Sequence, residues 1–306
     1  MNALTQTIDV KESLLHRTGG LLDILLIDQT TKKHLLWATD SYEHLGEEFS
    51  PKNHIKPELV TGHYQLLIQP RAVKSLTEQR KRTKEKAEVF TPLRIVDQMN
   101  KAVDTLMPDE DNWQTYVQEL RLEITCGEAP FIVSRYNPTS YTGKLIDLAK
   151  RVGFLDRKLK VVSRYCDKKA DWLLWAKEAF KASYGYEWQG DNVLLARENL
   201  LYTFTDYYQD KFNKRPALNE QEEFAEIISW NIFQMDGLKY VIPMSCRHES
   251  RIIPSEWTLF GEIPGRVERH ECAGCVYNQP DKHNGRYVKI QDWQKNKTVR
   301  FVDSVR

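Results

Sequence analysis

Two groups of residues in this chain are of types that do chemistry. The first is sulfur and imidazole. Cys272-Ala273-Gly274-Cys275 is a Cys-x-x-Cys knuckle, a spacing that turns two thiolates toward one metal ion. Cys246, His248, His270 and His283 lie on either side of it. The knuckle thiolates, Cys246 and one histidine make a tetrahedral set, with His283 or His248 as the histidine, since His270 stands only two residues before the knuckle. Cys246, Cys272, Cys275 and His283 are therefore the expected ligands, and a structural zinc is the expected metal. The competing reading is a pair of reduced thiols in a turn. A redox pair is disfavoured, because no thioredoxin-like helix start follows the knuckle.

The second group is carboxylates placed after apolar segments. Glu123 to Phe131 is a loop of small residues around Gly127 and Ala129, Glu187 closes Tyr184-Gly185-Tyr186, and Asp236 follows Asn231 to Met235. An adenosyl ligand lying across the carboxyl ends of parallel strands needs small residues where backbone approaches it, a carboxylate for the ribose hydroxyls and a polar group at the adenine edge. Gly127 with Ala129, then Glu187, then Asp236 can fill those places. A glycine turn after a strand is ordinary in α/β domains, so the order of the three features carries the reading.

The elements that must position these residues follow from periodicity. Leu21 to Asp28 and His34 to Thr39 flank the polar stretch Gln29 to Lys33 and predict a hairpin. Val73 to Ala87 is rich in charge, without Pro or Gly, and predicts an exposed helix. Its basic residues between Lys74 and Lys86 form either a solvated face or a stripe that contacts phosphates. Pro92 opens a helix whose Ile95, Val96, Met99, Val103 and Leu106 should cover a core. Leu120 to Ile124 and Tyr184 to Glu187 predict strands, and Trp172 to Ser183, Val193 to Tyr208 and Phe224 to Trp230 predict helices. Alternation of this kind favours an α/β domain. Pro243, Pro254, Pro264 and Pro280 then break any long helix, and Gly285 to Ile290 predicts a short strand in a small β-rich appendage.

With these segments in order, the chain resembles the S-adenosylmethionine-dependent DNA adenine methyltransferases of restriction-modification systems, the restriction subunit M proteins, from Glu88 to about Leu238. Glu88-Val89-Phe90-Thr91-Pro92 is similar to the family segment that precedes the first helix and touches the methionine end of the cofactor. Leu122 to Phe131 is similar to its strand and glycine loop, which brings in Glu123, Cys126 and Gly127. Tyr184 to Glu187 resembles its ribose-binding strand, and Asn231 to Asp236 the strand ending in the adenine-facing acid. The resemblance implies a Rossmann-like class I methyltransferase sheet over 88–243, an N-terminal hairpin and basic helical extension over 1–87, and a β-rich, zinc-binding appendage over 244–306. Phe90, Thr91, Pro92, Glu123, Cys126, Gly127, Glu187 and Asp236 would bind S-adenosylmethionine.

Two departures from the family pattern stand out. The glycine loop has Glu128-Ala129 where a second glycine is usual. The Asn-Pro-Pro-aromatic turn that accepts the target amino group and stacks on a flipped base has no intact copy. Asn137-Pro138-Thr139-Ser140-Tyr141 comes too early in the chain, which leaves Asn231 and Phe233 as candidates for transfer. The implied activity is methyl transfer to the adenine amino group of DNA, with a specificity or restriction subunit as a further partner. The alternative is a catalytically impaired, methyltransferase-derived subunit that binds DNA or a partner protein. Methyl transfer to RNA or protein is a third reading.

Composition sets the outer bounds. A chain of 306 residues with 41% hydrophobic and 28% charged residues is expected to fold around a sizeable core. A net charge of +1 leaves any affinity for nucleic acid to a local patch. No apolar run reaches the ~18 residues of a membrane span, and Met1 to Lys11 lacks a signal-peptide pattern. With five scattered cysteines, the expectation is a cytoplasmic protein without membrane partners.

Overall fold

A computed structural model of the chain describes residues 20–86, 89–104, 108–140 and 142–305. Met1 to Lys11, Glu88, Leu106 and Tyr141 of the sequence reading lie outside these residues, as do the side chains of Lys81, Arg82 and Lys86 in the basic stretch. The molecule is a mixed α/β structure with one three-stranded parallel sheet and several two-stranded antiparallel ones. No helix among the described residues is long and apolar enough to cross a membrane.

The expected N-terminal hairpin is present only around its turn. Leu21–Leu26 is a helix (α1), followed by strands β1 (Ile27–Asp28) and β2 (Lys33–His34), which pair antiparallel. Leucine is a good helix former, and a helix puts Leu21, Leu22, Leu25 and Leu26 on a face where all four are buried. Burial of that face outweighs the strand that a largely apolar segment beside a polar turn suggests. Asp28 closes the turn, accepting hydrogen bonds from the backbone N–H groups of Thr30 and Thr31.

Three helices lead into the sheet: α2 (Leu76–Lys86), α3 (Leu93–Val103) and α4 (Trp113–Gln118). The charged segment is thus helical as expected, although Lys74 just ahead of it is buried. Helix α3 departs from expectation, because only Val96 and Asn100 are buried while Met99 and Val103 are exposed. Its apolar stripe faces a cavity, and Pro92 stands at the N-cap position, one residue ahead of the helix.

The parallel sheet consists of β3 (Arg121–Glu123), β4 (Ser183–Glu187) and β5 (Ile232–Gln234), in that order. Residues Arg121, Ser183 and Glu123, Gly185 are in register, as are Gly185, Ile232 and Glu187, Gln234. Helices α5 (Phe154–Tyr165) and α6 (Lys169–Lys181) connect β3 to β4, and α7 (Gly190–Phe212) and α8 (Leu218–Asn231) connect β4 to β5. This is a βαβαβ unit, the arrangement that brings ligands to the carboxyl ends of strands. The core lies among these helices, where Trp172 is fully buried and Phe204 stacks on Phe224 at 3.7 Å between centroids. Buried Arg197 ties α1 and β1 to this core by donating to the carbonyls of Leu25, Ile27, Ser229 and Ile232.

The C-terminal third holds a two-stage ribbon, β6 (Glu249–Ile253) with β9 (Arg266–His270) and, beyond it, β7 (Glu256–Thr258) with β8 (Gly261–Ile263). A short helix α9 (Ala273–Tyr277) and the hairpin β10 (Lys289–Asp292) with β11 (Lys297–Arg300) follow, then α10 (Phe301–Ser304). Phe301 and Val288 pack with Tyr186, Phe233, Met235 and Ile242 in a second buried cluster. The final segment therefore covers one face of the parallel sheet.

Candidate functional site

A cavity of about 940 Å³ opens at the carboxyl ends of β3 and β4, within the size range of small-molecule clefts, ~300–1,000 Å³. Phe90, Thr91, Glu123, Cys126, Gly127 and Glu187 all line it. The structure thus brings six of the eight residues expected to bind the cofactor to one place. The loop between Thr125 and Ala129 shapes the floor. Thr125, Gly127 and Ala129 all have positive φ, at 46°, 53° and 62°, a conformation that costs residues with a Cβ and is common where backbone must approach a ligand. A Cβ on Gly127 would sit 3.2 Å from the Phe90 ring. Glycine therefore lets Phe90 lie on the turn, and Arg71 lies over that ring at 5.0 Å.

Carboxylates hold the turn in place. Glu187 Oε2 accepts a hydrogen bond from Gly127 N–H at 3.0 Å, and Oε1 accepts from Trp188 and Gln189 N–H. Glu123 accepts from the N–H groups of Phe131 and Ile132. Burial raises the Glu123 pKa to about 8, aided by the nearby Glu187 charge and opposed by the two N–H donors. Burial also raises Glu187, against three backbone donors. At neutral pH a pKa of about 8 keeps Glu123 mostly protonated, and Glu187 lines the cavity beside it. Burial, Glu123 and Glu187 push the Cys126 thiol well up, so Cys126 packs against Gly185 as a small apolar group instead of acting as a nucleophile.

The other expected residues are elsewhere. Pro92 is not among the lining residues and acts as the N-cap of α3. Asp236 closes a turn, its Oδ1 accepting from Leu238 and Lys239 N–H, and does not line the cavity. Asn231 is the last residue of α8, at the amino end of β5 and thus the far end of the sheet. Its amide donates to the carbonyls of Phe180, Lys181 and Ser183 and accepts from Trp293 Nε1. Phe233 is in register with Tyr186 and packs on Phe301, on the sheet face covered by the C-terminal segment. The proposed transfer pair is therefore not at the cavity, because Asn231 caps helix and strand ends while Phe233 fills a core.

Trp188, Gln189 and Asn192 line the cavity, and of these Gln189 and Asn192 were missed in the sequence. The available signal was position: they directly follow Glu187 and enter the first turn of α7. Gln189 Oε1 is buried without a hydrogen-bond partner among the described residues, an exception to the rule that buried polar atoms are paired.

The sulfur and imidazole group forms a second site. Cys246, Cys272, Cys275 and His283 each place one ligand atom within 4.8 Å of the others and can hold a metal ion. His283 Nδ1 lies 3.6, 3.5 and 3.6 Å from the sulfurs of Cys246, Cys272 and Cys275. His248 and His270 are exposed outside the cluster, which selects His283 from the candidates. Gly274 makes the packing possible, because a Cβ there would come within 2.6 Å of His283. Asn284 N–H points at Cys272 Sγ, 3.3 Å away. Burial works to raise Cys272, but hydrogen bonds from Asn284, Cys275 and His283 pull it down to about 6. Burial and the neighbouring thiols push Cys246 up to about 12. The two thiols are thus shifted in opposite directions within one cluster. A cation between them would let all of them carry charge.

No family model, curated protein or solved structure matches the chain.

Proposed function

We propose that the cavity at β3 and β4 binds S-adenosylmethionine in a Rossmann-like, methyltransferase-like fold, and that DNA is the macromolecular partner. The observation that carries the reading is the joining of Phe90, Thr91, Gly127 and Glu187 around one cleft at strand ends. Glu187 supplies an acceptor for ribose hydroxyls on Oε2, which takes only one backbone bond. Gly127 lets the ligand approach the backbone, and the Phe90 ring provides an apolar wall. When bound, the cofactor supplies an activated methyl group for in-line transfer to a nucleophile. The chain's residues would orient it and exclude water.

A specific observation favours binding without transfer. Asn231 and Phe233 are spent on structure, and no Asn-Pro-Pro-aromatic turn lines the cavity. On this reading the protein is a methyltransferase-derived subunit whose transfer chemistry, where it occurs, needs a partner such as a restriction or specificity subunit.

The four-ligand cluster is proposed to hold structural zinc. With metal–sulfur bonds of ~2.3 Å and a metal–nitrogen bond of ~2.05 Å, a tetrahedron has sulfur-to-nitrogen edges of about 3.6 Å, matching the observed 3.5 to 3.6 Å.

Isothermal titration of the purified protein with S-adenosylmethionine and its demethylated product tests the cofactor reading. Saturable binding is expected, weakened at least ~10-fold by Glu187→Ala through loss of charge-assisted hydrogen bonds worth ~1.5–3 kcal/mol each. Folded protein that gives no heat with either compound overturns it. Labelled methyl transfer to duplex DNA by the isolated chain would overturn the binding-only reading.

A further inference from the structure

The turn between β1 and β2 borders an open groove of about 530 Å³ that is also lined by Ser245, Arg247 and Asn284, the sequence neighbours of Cys246 and His283. Lys33, His34, Lys52 and His54 line it from the N-terminal side, and Arg247 and Arg286 from the C-terminal side. The four cations among these are exposed, and no ion pair involves any of them among the described residues. The groove has one acid, Asp28, whose carboxylate is turned back onto the N–H groups of Thr30 and Thr31. Four like charges brought together without counter-charges repel one another. Packing does not demand them, since all four are at the surface.

Residues next to the cluster in sequence line the C-terminal side of the groove. Cys246 lies between Ser245 and Arg247, and His283 precedes Asn284. Asn284 exchanges two hydrogen bonds with the backbone of Arg247, and Arg286 N–H donates to Ser245 Oγ. The ligand set therefore fixes the backbone from which both arginines project. On the other wall, pairing of β1 with β2 fixes Lys33.

We propose that this groove is a track for the phosphate backbone of DNA. Exposed cations on two walls of an open channel suit a polymer carrying regularly spaced charge, whereas a small anion needs donors converging on one point. Guanidinium groups bind phosphate in a bidentate fork, and Ser245, Asn284 and Thr31 add neutral donors of the kind that contact phosphate oxygens. The chain's net charge of +1 supplies no general attraction, so the affinity must be local. The inference rests on the methyltransferase-like reading only for DNA as the polymer.

Fluorescence anisotropy of a labelled random-sequence duplex, titrated with cofactor-free protein across a salt series, tests it. Four phosphate contacts predict a slope of log K against log salt of about −3.6, and loss of two contacts reduces it by about 1.8. Lys33→Ala/Lys52→Ala and, separately, Arg247→Ala/Arg286→Ala are each expected to weaken binding about 60-fold at 0.1 M salt, with melting temperature and S-adenosylmethionine titration unchanged. Absent duplex binding, an unchanged slope in both variants, or tighter binding of polyglutamate or single-stranded RNA overturns the proposal. Loss of cofactor binding with intact, salt-dependent duplex binding overturns the methyltransferase-like reading and leaves the groove standing.

Discussion

Replacing Glu123 by glutamine should change how stability depends on pH, and the structure fixes both the sign and the window. An unfolded chain releases the Glu123 proton near 4.5, whereas the folded chain holds it up to about 8 because burial penalises the charge. Between those values the native state binds more protons than the unfolded state, so this group stabilises the fold most below pH 4.5 and loses that contribution as pH rises to about 8. The slope from one proton is about 1.4 kcal/mol per pH unit. Across the whole window it sums to about 5 kcal/mol, comparable to the net stability of many domains. Glutamine does not titrate. Its carbonyl can take one of the two backbone donors that Glu123 accepts, from Phe131 and Ile132, and the other loses its partner at a pH-independent cost of ~1–3 kcal/mol. Urea unfolding of both proteins between pH 5 and 9, with zinc kept saturating, gives the stability difference. That difference should move against the wild type by about 1.4 kcal/mol per unit up to pH 8 and then level off. Ion-paired carboxylates contribute slopes of the opposite sign, but they are common to both proteins and cancel. Parallel curves over the whole range would refute the reasoning, since they would mean that Glu123 is ionised when folded.

Other outcomes follow from the same contacts. Asn231→Ala removes three donated bonds and one accepted bond and should cost about 2–4 kcal/mol in urea unfolding, while S-adenosylmethionine affinity in calorimetry stays unchanged because the residue is at the far end of the sheet. Plasma emission spectrometry should find one zinc per chain, and Cys272→Ser should lower that content and the melting temperature together. Gly127→Ala forces a Cβ against Phe90 at positive φ and should cost about 1–2 kcal/mol, with weaker cofactor binding in the same titration.

The sequence carried some of this and not the rest, for reasons visible in single residues. The Cys/His cluster was legible because ligand chemistry admits few residue types and Cys-x-x-Cys sets its own local geometry, while the choice between His248 and His283, and whether the thiols gather at all, awaited three dimensions. Strands β3 and β4 were legible from short apolar runs that end in an acid. The helix at Leu21–Leu26 was not, because two leucine pairs around one acid are too short a segment for period alone to separate helix from strand, and burial against the core decided its state. Asn231 and Asp236 misled because a polar residue near an apolar strand looks the same in one dimension whether it faces a ligand or caps a chain end. Gln189 and Asn192 were hidden for the opposite reason: residues at the start of a long buried helix read as core.

The alternation along β4 explains how the glycine turn and the C-terminal segment bear on opposite faces of one strand. Gly185 admits Cys126 and Ile132 on one face, and Glu187 reaches Gly127. Tyr184 donates to the Gln291 carbonyl, and Tyr186 packs edge-on to Phe301 on the other face. A five-residue strand has side chains on two faces only, so the glycine turn takes one and the segment after the metal cluster takes the other. Glu187 can keep a buried carboxylate at the strand end because both faces behind it are closed. Loosening of the C-terminal segment would admit water beside Tyr186, weaken the desolvation that raises Glu187, and alter the acceptor the cavity presents. The metal cluster lies at the root of that segment, so metal content and cofactor affinity should vary together even though the two sites share no residue.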